Sequence, residues 1–156
     1  MLDHPAIKFS PWVPWQDRET LADGQQYMGV YLWAHFHRKP DSTLVPSELS
    51  LPEELIYVGE TKNLNARPLS GTRHHRLEHY DDTYPADRKY RYLYVSVFPV
   101  ERYQDNARCR AIRAYTRYVE DLIYWRYVEA YGTRAALDYK KKPGRSTVAK
   151  CCATRA

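Results

Sequence analysis

The stretch Leu55-Ile56-Tyr57-Val58-Gly59-Glu60-Thr61-Lys62-Asn63-Leu64-Asn65-Ala66-Arg67 changes character in its middle. Its first four residues form a continuous apolar run that suits a short buried strand. Gly59 breaks the run. Lacking a Cβ, it lets the backbone turn sharply and lets another group come close. Thr61 is a helix-capping residue type, and Leu64 and Arg67 fall one turn apart on the helix that follows. Tyr57 at a strand end and Arg67 on a first helical turn therefore face one cleft. Upstream, Gly29-Val30-Tyr31-Leu32-Trp33-Ala34 reads as a second apolar strand, also opened by a glycine.

The remaining chain supports a small mixed fold. Residues 27–37 are expected to form the first strand. Residues 38–54, with Pro40, Pro46 and Pro52, form a polar connection: a passive surface loop, or a loop that reaches a groove or a second subunit. Residues 55–60 form the second strand, antiparallel to the first. The helix after it is disturbed by Pro68 and Gly71 and is expected to kink or restart after one turn. Residues 91–98 alternate apolar and aromatic side chains and read as a third strand that Pro99 ends. Ile112, Tyr115, Val119, Leu122, Ile123 and Tyr127 recur every three or four residues, predicting a helix over 107–131 stopped by Gly132. The expected fold is an α/β domain of the α+β kind, with a small antiparallel three-stranded sheet flanked by helices. It spans residues 27–139. Before it lies a Pro/Trp-rich arm, residues 1–26, extended with a short helical turn at Asp17–Leu21. Trp12 and Trp15 of the arm pack on the domain or stack on a base. After the domain comes a basic tail, residues 140–156.

Composition narrows the function classes. The chain has 156 residues, enough for one domain with a core. Fifteen tyrosines and four tryptophans accompany only three phenylalanines, which fits a wet, thin core or a surface that stacks on bases. Charge is divided unevenly. Residues 1–60 carry 4 Lys/Arg and 9 Asp/Glu, whereas residues 61–156 carry 20 and 10. A basic half favours a polyanionic partner, because phosphate neutralisation releases counterions. From Lys62 to Arg76 there are four basic residues and no acid, so Lys62, Arg73, His75 and Arg76 are candidate nucleic-acid contacts. His75 and His79 are one turn apart, but no third ligand pattern makes a zinc site of them. Three cysteines without a spacing pattern give no disulfide framework and point to a reducing, cytoplasmic compartment. No stretch is apolar enough for a membrane span.

Four features in order, Gly29-Val30-Tyr31, Tyr57-Val58-Gly59, Arg67 eight residues after Gly59, and Glu120-Asp121-Leu122-Ile123, resemble the GIY-YIG nuclease superfamily over about residues 27 to 132. The resemblance implies a divalent-metal-dependent endonuclease that hydrolyses DNA phosphodiester bonds. Glu120 would hold Mg²⁺ or Mn²⁺, and Arg67 would offset phosphate charge. Tyr31 or Tyr57 would orient or deprotonate the attacking water, with Lys62 and His74 as further candidates for proton transfer. The histidine such enzymes place about four residues after the arginine falls on Gly71, so His74 or His75 would fill that role, and Arg73 is an alternative to Arg67. The late asparagine of the family has no counterpart after Glu120. A compact restriction-like or repair-like enzyme, compatible with a homodimer, fits the length. A catalytically inactive nucleic-acid-binding module of the same fold is the alternative, and a purely structural protein whose tyrosines simply pack is the second.

Overall fold

The two glycine-marked strands pair with each other. In the computed structural model, which describes residues 6–21, 26–66, 75–87 and 90–137, the order is β1 (Val13–Pro14), a 3₁₀ helix (Trp15–Leu21), β2 (Tyr27–His35), β3 (Leu55–Thr61), α1 (His75–Thr83), β4 (Leu93–Arg102) and α2 (Ala107–Tyr131). The sheet is antiparallel throughout, in the order β1-β4-β2-β3. Among the described residues it has four strands, not three. The additional edge strand comes from the arm, where Val13 and Pro14 pair with Val95 and Tyr94. Proline lacks a donor for a further partner, so it suits an edge of this length.

β2 lies between β3 and β4 and is buried from Met28 onward. Its side chains alternate between two cores. Val30 and Leu32, with Val58 of β3, pack against Val119, Ile123 and Tyr127 of α2. Tyr31 and Trp33, with Val95 and Val97 of β4, pack against Trp15 of the arm and Tyr80 of α1. β4 continues through Pro99 to Arg102. Pro99 does not end the strand because it lies opposite Gly29, where a bulge interrupts the ladder.

The arm and the 38–54 connection are tied to the domain. Trp15 is buried and meets Trp33 edge-on at 5.3 Å. Trp12 meets Phe36 at the same distance. Both tryptophans therefore pack on the domain. In the connection, the Phe9 amide donates to the Pro46 carbonyl, and the Tyr127 and Tyr131 hydroxyls donate to the carbonyls of Glu53 and Leu51. No helix among the described residues is long and apolar enough to cross a membrane.

Candidate active site

Tyr31 faces Gly59 directly across the β2–β3 pair, and Trp33 faces Tyr57. The Tyr31 ring occupies the space a Cβ on Gly59 would need: such an atom would sit 2.6 Å from the Tyr31 hydroxyl. Gly29 admits an equally close approach, with the Phe98 carbonyl oxygen 2.3 Å from where its Cβ would be. Gly59 thus makes room for the Tyr31 ring, and Gly29 for the backbone of β4 and the Leu64 side chain. The rings of Tyr31 and Tyr57 lie 5.8 Å apart.

Tyr31 is only 1% exposed, whereas Tyr57 is partly exposed on edge strand β3. Arg76, from the first turn of α1, is 5% exposed and holds its guanidinium 5.4 Å from the centre of the Tyr57 ring. Burial pushes the Tyr57 phenol above its ordinary value. The Arg76 charge and hydrogen bonds from Tyr31 and Arg76 oppose that rise, while the Glu120 carboxylate adds to it. A hydrogen bond that lowers the value is one that stabilises the phenolate, so the Tyr31 bond favours negative charge on the Tyr57 oxygen. Arg76 also contacts His79 Nδ1 at 3.3 Å. The Glu120 carboxylate, on α2, is near enough for its charge to act on the Tyr57 phenol.

Tyr31, Tyr57 and Arg76 are therefore brought together, and Glu120 is linked to them through its charge on Tyr57. Sequence reasoning had placed Arg76 among surface phosphate contacts, because a run of cations carries no sign of which one turns inward. Lys62 is exposed just beyond β3. Arg67, Arg73 and His74 lie outside the described residues. His75 opens α1, and its side chain lies outside the description too. The Thr61 hydroxyl accepts from the Asn63 amide and Asn63 Oδ1 from the Ala66 amide, while the helix expected to follow runs into residues 67–74, outside the described ones.

Among the described residues no three His, Cys, Asp or Glu side chains gather as a metal cluster. Glu120 as a single carboxylate still fits Mg²⁺, which keeps several waters and is usually held by one or two carboxylates plus substrate phosphates. A second network lies further along the same sheet face. His35 Nδ1 is 2.8 Å from the Tyr80 hydroxyl, which donates to Asp87 Oδ2 at 2.6 Å. Asp87 also accepts from the amides of Arg91 and Tyr92. Tyr80 has one proton and gives it to Asp87, so His35 Nδ1 carries the hydrogen toward Tyr80. This cluster is built to hold the loop before β4.

No protein-family model, curated protein or solved structure matches the chain.

Proposed function

We propose that the chain is a divalent-metal-dependent endonuclease of the GIY-YIG kind that hydrolyses DNA phosphodiester bonds. The observation that carries this reading is the packing of Tyr31 and Arg76 against Tyr57 of β3, with the Glu120 carboxylate acting on the same phenol. Tyr57, the partly exposed one, is the tyrosine that meets the attacking water. Tyr31 is a positioning residue, since it is buried and acts through its hydrogen bond to Tyr57. Arg76 stabilises negative charge on the Tyr57 oxygen as a proton moves to it. Held by Glu120, Mg²⁺ or Mn²⁺ would supply Lewis-acid stabilisation of the phosphoryl and leaving oxygens. Arg67 remains the proposed phosphate contact on the resemblance alone. Restriction-like and repair-like roles are both compatible with this chemistry.

Single-turnover cleavage of an end-labelled duplex, at saturating enzyme, tests the assignment. Arg76→Ala and Tyr57→Phe are each expected to lower the rate by about 10²-fold or more, as for loss of one preorganised electrostatic group. Rates within a few-fold of wild type would remove both residues from the reaction. The absence of an asparagine after Glu120 and the glycine at position 71 favour a second reading, an inactive nucleic-acid-binding module. That reading expects salt-sensitive DNA binding with no turnover under any divalent cation.

A further inference from the structure

An open groove of about 410 Å³ lies at the Tyr27 end of the sheet, between the end of β3 and the first half of α2. Lys62, Tyr103, Asp105, Arg110, Arg113 and Arg117 line it. Glu60 of β3 holds Arg113 at 2.9 Å and lies 3.8 Å from Arg117. One carboxylate thus orients two guanidinium groups, while Lys62, Arg110 and Arg117 stay exposed. The Nε atom of Arg113 is buried without a hydrogen-bond partner among the described residues.

The arginines are not scattered. Arg110, Arg113, Arg117 and Glu120 are spaced three, four and three residues apart, so they form one stripe on α2. At 1.5 Å per residue, Arg117, Arg113 and Arg110 lie about 4.5, 10.5 and 15 Å along the helix from Glu120. One DNA strand carries a phosphate about every 3.4 Å of duplex axis. A stripe of repeated cations that ends on Glu120 matches a repeating anion better than a single phosphate.

We propose that this groove is the track for the phosphodiester backbone of a nucleic-acid strand leading to Tyr57 and Glu120. The proposal rests on reading that centre as the cleavage site. Arg117, Arg113 and Arg110 meet successive phosphates on one side of the scissile bond, Lys62 closes the opposite wall, and Tyr103 offers a face to a base or sugar.

The test is fluorescence anisotropy of a labelled oligonucleotide with the full chain in EDTA, across a salt series. Arg110 and Arg117 are exposed, so replacing them leaves the core intact. The double variant Arg110→Ala/Arg117→Ala should weaken binding at least tenfold at low salt. It should also reduce the slope of log affinity against log salt by about 2, roughly 1 per lost phosphate contact. Arg110→Lys/Arg117→Lys should keep most of that slope. Arg38→Ala/Lys39→Ala, at the other end of β2, should leave it unchanged. An unchanged slope in the groove variant, or an equal loss from the Arg38 and Lys39 pair, would overturn the proposal. Displacement of the oligonucleotide by polyglutamate at equal charge concentration would also overturn it, assigning the groove to acidic protein instead. Groove-dependent binding without cleavage under any divalent cation would support the groove and remove the nuclease reading. Cleavage with unaltered binding would do the reverse.

Discussion

Tyr31 lies against Gly59, and no side chain can be added to Gly59 without moving the ring. Gly59→Ala is expected to destabilise the fold by about 1–3 kcal/mol, the usual range for overpacking. Differential scanning calorimetry should show a Tm several degrees lower, at about 2–4 °C per kcal/mol for a chain of this size. A Tm equal to wild type would mean that the ring is not confined. The same variant should lose cleavage out of proportion to its stability, because Tyr31 no longer holds Tyr57. The Tyr57 phenol carries its own prediction. Burial raises it above the ordinary value, so its phenolate is scarce near neutrality. If Tyr57 takes the proton, the single-turnover rate should climb with pH from about 7 toward 9 with no maximum near neutrality. A profile flat over that range would exclude Tyr57 as the base. At this scale the sequence made the glycines and motif tyrosines legible, because strand register follows from short apolar runs. It did not reveal Arg76 over Tyr57, since that contact depends on how α1 is rotated against a distant strand.

Among the elements, α2 agrees best with its sequence. It spans the residues its apolar spacing marks, with Asn106 accepting from the Cys109 amide and Gly132 closing it at φ 67°. Nothing lies within 4 Å of where a Gly132 Cβ would stand, so only backbone strain opposes a side chain there. Gly132→Ala should therefore cost about 1–2 kcal/mol, the penalty of a left-handed conformation for an L-residue. Asn106→Ala should cost about 1 kcal/mol through loss of the cap. Urea denaturation with unchanged m-values would check both, and a neutral Gly132→Ala would contradict the cap. The stripe of arginines leading to Glu120 was also present in the sequence as helical spacing. What spacing cannot show is that Glu60 of β3 faces it. β4 was less legible: Pro99 looks like a strand end until its partner, the bulge at Gly29, is known. The arm's edge strand was hidden for the same reason, as two residues take strand form only because β4 offers an unpaired edge.

For the molecule as a whole, the two faces of the sheet are held differently. The α2 face is mainly apolar, while the α1 face adds the His35–Tyr80–Asp87 network. His35 is held below its ordinary value by burial and by His37, against a smaller opposing effect of Asp87. An unfolded histidine titrates near about 6.5, so below that pH the unfolded chain binds a proton that folded His35 resists. Its contribution to stability is thus fully present above about pH 6.5 and is lost as the pH falls below it. Tm measured from pH 8 to 5 should decline more steeply for wild type than for His35→Gln, and parallel curves would contradict this. Tyr57 stands on the edge strand β3, and the charge of Glu120 on α2 acts on its phenol. The most direct test of the central claim is cleavage of supercoiled plasmid by the wild type with Mg²⁺, with EDTA, and by Glu120→Ala with Mg²⁺. The account predicts nicked or linear product only for the wild type with metal. Product that persists in EDTA or in Glu120→Ala, or no product from the wild type under Mg²⁺ or Mn²⁺ on any DNA form, would contradict it.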